Sequence, residues 1–311
     1  MSLVPGAARI CYPHFSPTLV YPTPSKAVPI TYQDDEDQGD YSVGKKSSSY
    51  HVKNSDQRLL FPSEHEPAFT GFCALTIMTK APRAGEVKTR LTPPLTLEEA
   101  AELNICFLRD MTASILGAGD GMRGIACYTP SDAAAEYREI VPGAFRLIAQ
   151  RGTELGERMI CAFQDLLGVG FSAVCLIGSD SPTVPASTFA EAVKIIARPD
   201  ARLVLGPSED GGYYLIGLKK IHRRLFEGIR WSTGSVMEQT MERAAELGLP
   251  VHLLPTAYDV DDVVALRRLC HDLLGPNDVG QGSAAPATKK FLTELLTRGG
   301  GRRMGFDKAA V

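Results

Sequence analysis

Several things that would identify a chemistry at sight are missing from this sequence. Its seven cysteines include no C-x-x-C pair, and its six histidines show no zinc-type spacing, so nothing reads as a structural zinc site. There is no G-x-S-x-G and no Cys/His pair at a recognisable spacing, which leaves no case for covalent nucleophilic catalysis. No apolar run approaches the ~20 residues that a spanning helix requires. The start of the chain lacks the basic stretch and following apolar stretch of a secretory signal. An excess of one charge is missing too. Lys plus Arg number 33 against 36 Asp plus Glu, a formal net charge of -3, which excludes a surface that is basic throughout. Cys73, Cys127 and Cys175 sit inside apolar runs, where Cys behaves as a small hydrophobe. These absences give a cytoplasmic expectation, with no nucleic-acid partner and no membrane, and leave a homo-oligomer open.

What is present is an ordinary globular composition, with 44% apolar and 22% charged residues over 311 positions. Its distribution is uneven. Residues 1–68 hold eight prolines, an acidic knot around Asp34–Asp37 and a Ser47–Ser49 run, with no lasting period. A segment of that kind cannot bury enough apolar surface to offset its ordering entropy, so a flexible extension is expected. Residues 276–311 read as a linker rich in Gly, Pro and Ser, a short helix at 289–297 and a Gly/Arg tail.

Between them, residues 69–275 keep a steady rhythm. Apolar runs at 72–79, 124–129, 145–150, 172–179, 201–207, 212–218 and 251–256 read as strands. Segments 96–117, 154–168, one from about 187, 234–248 and 261–275 carry apolar residues three and four apart and read as helices. Strands alternating with helices predict an α/β fold whose mostly parallel sheet is covered on both faces. The two runs at 201–218, joined by Asp-Gly-Gly, predict an antiparallel hairpin within that sheet.

In such sheets ligands bind beyond the carboxyl ends of the strands, so the residues following each strand matter most. After the first strand comes KAPRAGEVKTR, with Lys80, Arg83, Lys88 and Arg90 inside eleven residues and with Pro82 and Gly85 shaping the loop. Backbone N–H groups and cations in that arrangement suit a phosphate chain, although the pattern is not a Walker loop. After the central strand comes Gly178-Ser179-Asp180-Ser181-Pro182. A carboxylate at the tip of a buried strand is placed to hold a divalent cation that bridges phosphates. After the last strand come Asp259 and Asp261, with Asp261 or Asp262 also suited to cap the final helix. Between these, Glu209-Asp210-Gly211-Gly212 offers a turn, two glycines beside which a ligand could approach the backbone, and a carboxylate able to act as hydrogen-bond acceptor or base. The segments at 152–158 and 230–233, the latter holding the sole Trp, read as helix entries.

Taken in order, MTKAPRAGEVKTRL at 78–91, QRGTELGERM at 150–159, IGSDSP at 177–182, LGPSEDGGYYLIGL at 205–218, WST at 231–233 and DVD at 259–261 resemble a bacterial glycosyltransferase-like family associated with arsenosugar biosynthesis, within the nucleotide-diphospho-sugar transferase (GT-A) superfamily. The resemblance implies a three-layer αβα sandwich and a nucleotide lying over the first strand. It also implies a divalent cation, Mg²⁺ or Mn²⁺, held at Asp180. The superfamily's usual acidic pair is here one carboxylate flanked by Ser179 and Ser181, so Asp259 or Asp261 is expected to contribute.

Two reactions follow. In glycosyl transfer from a nucleotide sugar to a small acceptor, Asp180, Asp259 and Asp261 hold the metal and Glu209 or Asp210 orients or deprotonates the acceptor. Lys80, Pro82, Gly85, Lys88, Arg90, Gly211 and Gly212 surround the nucleotide. The basic loop also resembles that of molybdenum-cofactor and phospholactate guanylyltransferases. In that alternative, Lys80, Lys88 and Arg90 grip an NTP, and a substrate phosphate attacks with release of pyrophosphate.

Overall fold

The computed structural model describes residues 58–275, 285–300 and 303. The expected extension up to residue 57, the linker at 276–284 and most of the Gly/Arg tail lie outside the described residues. The strands are β1 (Cys73–Lys80), β2 (Met122–Thr129), β3 (Arg146–Ala149), β4 (Ala173–Ile177), β5 (Leu203–Pro207), β6 (Tyr213–Leu218) and β7 (Val251–Leu253). The helices are α1 (Leu97–Leu116), α2 (Ala134–Ile140), α3 (Leu155–Val169), α4 (Ala186–Ile196), α5 (Val236–Glu246), α6 (Val263–Leu274) and α7 (Pro286–Leu295).

The strands form one sheet in the order β3-β2-β1-β4-β6-β5-β7. Its pairings are parallel except that β6 runs against both β4 and β5, so the expected hairpin at 201–218 is present. β1 and β4 are apolar along nearly their whole length because both of their faces are covered. On one face Leu75, Ile77 and Cys175 pack with Leu108, Met111 and Ile115 of α1, Tyr137 of α2 and Phe189 of α4. On the other, Ala74, Val174 and Leu176 pack with Phe163 and Leu166 of α3 and Ala244 of α5. Each large side chain buried this way contributes about 1.5–3 kcal/mol. The result is the αβα sandwich anticipated from the sequence. Among the described residues, no helix is long and apolar enough to cross a membrane.

Two additions to this frame were not expected. The outer side of α1 forms a third core with α6 and α7 through Leu103, Phe107, Leu266, Leu269 and Leu292. The start of α7 is held by Asp110, which is 3% exposed and accepts from the amides of Ala287 and Thr288 at 2.8 Å each. Residues 58–68, assigned to the extension by composition, include a stretch packed on the domain. Arg58 O accepts from Leu147 N and Leu60 N donates to Leu147 O, both at 2.8 Å, covering edge strand β3. Leu60 is buried in the α3 side of the core. The Arg58 guanidinium donates to the carbonyls of Phe145 at 3.1 Å and Pro142 at 3.0 Å.

Candidate active site

Strand order reverses between β1 and β4, since β2 and β3 extend one way and the later strands the other. A cavity of about 810 Å³ opens at the carboxyl ends of these two strands, where an open α/β sheet places its ligand. The segments singled out in the sequence after β1, β4, β5 and β7 all reach it. Lys80, Lys88, Arg90, Asp180, Asp210, Gly212, Asp259 and Asp261 line it.

Lys88 is central. Its side chain is 6% exposed, and its ammonium lies 2.6 Å from Asp180 Oδ1 and 2.8 Å from Asp261 Oδ1. A third proton goes to the Val260 carbonyl at 2.9 Å. The backbone reaches this position in the left-handed region, at φ 50°, a conformation that costs an L-residue roughly 1–2 kcal/mol. Burial alone would lower the Lys88 pKa, but the two carboxylates outweigh it and hold the ammonium above its ordinary range. Burial likewise works against charge on Asp261, and Lys88 overrides it, so this carboxyl lies below the usual range. Asp259 accepts from Ser208 Oγ at 2.9 Å. Burial pushes its carboxyl up, and the nearby Asp210 and Asp261 add to that over the opposing effect of Ser208.

Other expected residues sit differently. Glu209 does not line the cavity. It turns outward and pairs with Arg268 of α6 at 2.5 and 3.0 Å, which lowers its pKa. Asp210 does line the cavity, and its Oδ1 accepts from Gly212 N at 2.8 Å, closing the turn. Gly211 makes a close backbone contact and does not line the cavity. It has φ 88°, and a Cβ there would meet Gly234 O at 2.1 Å. Pro82 and Gly85 shape the basic loop without lining the cavity. Arg83 leaves the site altogether, reaching Glu136 at 2.6 Å and Asp132 at 3.7 Å. Lys80 lies 3.4 Å from Glu86. Among the described residues, Arg90 forms no close ion pair, but its charge adds to that of Lys88 in holding the Asp261 carboxyl down.

The cavity also uses residues that sequence reasoning undervalued. Trp231, Ser232 and Thr233 form a wall, with Leu155 and Met159 from the first turns of α3 beside them. The order of these motifs along the chain was visible, but their meeting was not. Asn104 of α1, 3% exposed, lines the cavity as well, and its buried Oδ1 has no hydrogen-bond partner. An acceptor left in that condition costs about 1–3 kcal/mol until something donates to it.

The acids fit a divalent cation in one particular way. Asp180, Asp210, Asp259 and Asp261 face Lys80, Lys88 and Arg90, leaving an excess of hard oxygen donors. Burial raises the Asp259 carboxyl, and the neighbouring Asp210 and Asp261 add to that. The expected cage of Asp180, Asp259 and Asp261 is not formed, because Lys88 stands between two of its members and Ser208 holds the third. Among the described residues, no three Asp, Glu, His or Cys side chains converge on one ion position. One or two carboxylates completed by phosphate oxygens and water is the arrangement Mg²⁺ commonly takes.

Comparison with known proteins agrees with the fold. Residues 113–233 match the family described as an uncharacterized protein conserved in bacteria, DUF2064. No curated protein matches the chain in sequence. Among solved structures, a candidate nucleotide-diphospho-sugar transferase from Desulfovibrio desulfuricans G20 is 32% identical, with a TM-score of 0.64, over 72% of this chain and 95% of that one. Two others are far more distant. Glucosyl-3-phosphoglycerate synthase from Mycobacterium tuberculosis, in complex with Mn²⁺ and UDP, is 12% identical with a TM-score of 0.38, over 76% of this chain and 81% of that one. The 4-diphosphocytidyl-2C-methyl-D-erythritol synthase from Anaerococcus prevotii is 11% identical with a TM-score of 0.41, over 64% of this chain and 96% of that one. Likenesses so distant carry no argument about chemistry, whereas the Desulfovibrio match does bear on family. With its shared αβα sandwich, the chain belongs to the nucleotide-diphospho-sugar-transferase-like family of that Desulfovibrio protein.

Proposed function

We propose that the protein transfers a glycosyl group from a nucleotide sugar to a small acceptor. The bond between the anomeric carbon and the diphosphate oxygen breaks, and the nucleoside diphosphate leaves. The acceptor oxygen bonds to the anomeric carbon and gives up its proton. Asp210, in the cavity wall, is the carboxylate that orients that oxygen and receives its proton. Arg90 faces the diphosphate, and Asn104 Oδ1 accepts from a hydroxyl or amino group of the donor. A divalent cation, when bound, supplies charge neutralisation for the departing diphosphate. Asp180 and Asp261 are the residues that would hold it. A cytoplasmic location and a small-molecule acceptor belong to the same reading.

The observation that carries this reading over nucleotidyl transfer is the pairing of the loop cations. Four cations on one loop suggested a triphosphate. Three of them already face acids of the protein: Lys80 with Glu86, Arg83 with Glu136, and Lys88 with Asp180 and Asp261. With Lys80 held by Glu86 and Arg83 by Glu136, the loop keeps at most Lys88 and Arg90 for phosphate oxygens, which suits the smaller charge of a diphosphate. The test is ³¹P NMR of the protein with Mg²⁺, a panel of nucleotide sugars and a pool of small hydroxylated acceptors. Enzyme-dependent appearance of nucleoside diphosphate is expected. Pyrophosphate formed from an NTP and a sugar phosphate, with no nucleoside diphosphate from any sugar donor, would establish nucleotidyl transfer instead.

A further inference from the structure

This inference rests on reading the cavity as a metal-assisted diphosphate site. A lysine ammonium has three protons. In Lys88 they go to Asp180 Oδ1 at 2.6 Å, Asp261 Oδ1 at 2.8 Å and Val260 O at 2.9 Å. None is left for a phosphate. The acceptors come from segments after β4 and β7, and the lysine from the loop after β1, so one ammonium ties three segments at the mouth of the sheet. A metal–diphosphate complex would have to tie the same three.

We propose that Lys88 is an internal stand-in for the divalent cation. It holds Asp180 and Asp261 while the donor is absent; a bare metal ion displaces it only at high concentration, and a donor diphosphate lowers that concentration by offering its ammonium other oxygens. A bare metal ion that took the two carboxylates would strand a buried, unpaired ammonium, which is strongly unfavourable. A diphosphate arriving with the metal removes that penalty, because its oxygens accept charge-assisted hydrogen bonds from the released lysine. The ligand is therefore the metal complex of a nucleoside diphosphate sugar, taken up as a unit. By linkage, diphosphate and metal each strengthen the binding of the other. Lys88 is a positioning residue in this scheme, and Lys80, which lines the same cavity but touches neither aspartate, is its natural control.

The test measures Mn²⁺ alone binding to the full chain, by the EPR signal of free Mn²⁺, in wild type, Lys88→Met and Lys80→Met. Both variants remove one positive charge from the cavity. Lys88→Met is expected to bind Mn²⁺ at least about tenfold more tightly than wild type, and Lys80→Met within about threefold of it. Equal affinities for the two variants would overturn the proposal, because charge alone would then explain any gain. A second measurement needs no variant. Wild-type protein is pulsed with acetic anhydride and each lysine is followed by mass spectrometry. Lys88 is expected to stay protected at Mn²⁺ concentrations that leave the site empty and to become labelled as bare Mn²⁺ fills it. Filling of the site with Lys88 still protected would overturn the proposal. Nucleotide-sugar binding is scored separately. If no nucleotide sugar binds while Mn²⁺ displaces Lys88, the glycosyl-transfer reading and the sugar ligand fall, and the stand-in role of Lys88 stands. If sugars bind and Lys88→Met changes nothing, the inference falls alone.

Discussion

The indole of Trp231 sits so close to the backbone of Gly156 that a Cβ at Gly156 would meet Trp231 Nε1 at 2.7 Å. This contact joins the first turn of α3 to the loop before α5 and sets the cavity wall that also includes Leu155 and Met159. Gly156→Ala must therefore displace the ring or the helix. An added methyl in such a contact typically costs about 1–3 kcal/mol of stability, and the displaced wall is expected to weaken donor binding. Trp231 is the only Trp, so a shift in fluorescence emission reports the displacement directly. Unchanged emission with unchanged donor affinity would show that the wall tolerates the methyl.

Glu209 and Asp210 are neighbours with opposite exposures to the site. Asp210 faces the cavity, and Glu209 pairs with Arg268 outside it. Asp210→Asn keeps an oxygen for the Gly212 amide but loses the base, so kcat is expected to fall by about a hundredfold or more. Glu209→Gln is expected to leave kcat within about threefold, since the residue lies outside the reaction. Steady-state kinetics of the two variants settles the assignment, and the reverse ranking would restore Glu209 as the acid–base group.

Asp110 accepts two amides at the start of α7 from inside the fold. Asp110→Ala leaves both donors without a partner, and a loss of about 1–3 kcal/mol is expected in urea unfolding. An unchanged midpoint would mean that α7 docks through its apolar contacts alone.

The packed domain starts before residue 69. Removal of residues 1–66 deletes buried Leu60 and the Arg58 contacts to the β3 edge. That protein is expected to melt lower than one lacking residues 1–57, by an amount consistent with about 2–5 kcal/mol for a lost core leucine. Equal melting temperatures would reduce this stretch to a surface decoration.

How far the sequence could be read follows from the range of the forces involved. β1 and β4 announced themselves because a parallel strand buried on both faces has no polar alternation to obscure it. The acids after β4 and β7 were visible as acids because carboxylates at strand ends have few structural uses. Which charge each one meets was not visible. Lys88 and Asp261 are 173 positions apart, and only the strand order brings them together. The loop looked like four phosphate ligands because its counter-charges lie far away in sequence, at Glu136 for Arg83 and at Asp180 and Asp261 for Lys88. Glu209 was indistinguishable from Asp210 without Arg268, 59 positions on. Gly211 did mark a close approach, and the backbone it meets is that of Gly234, 23 positions on. α2 is seven residues long, too short for a helical period to register. The RLLF run at 58–61 was the one local signal that the extension's composition concealed.

On the proposed function, the cavity at the β1/β4 switch point receives a nucleotide sugar together with a divalent cation. The most direct measurement is a thermal-shift panel of nucleotide sugars and the matching NTPs, each with and without Mn²⁺. A ligand held by the native state alone, at a hundredfold excess over its Kd, adds about 2.7 kcal/mol of apparent stability. A shift is expected for one nucleotide sugar that requires Mn²⁺, is lost in Asp180→Ala, and exceeds that of the corresponding NTP. A shift confined to an NTP, or one equal in size without metal and in Asp180→Ala, would rule out metal-assisted uptake of a nucleotide sugar.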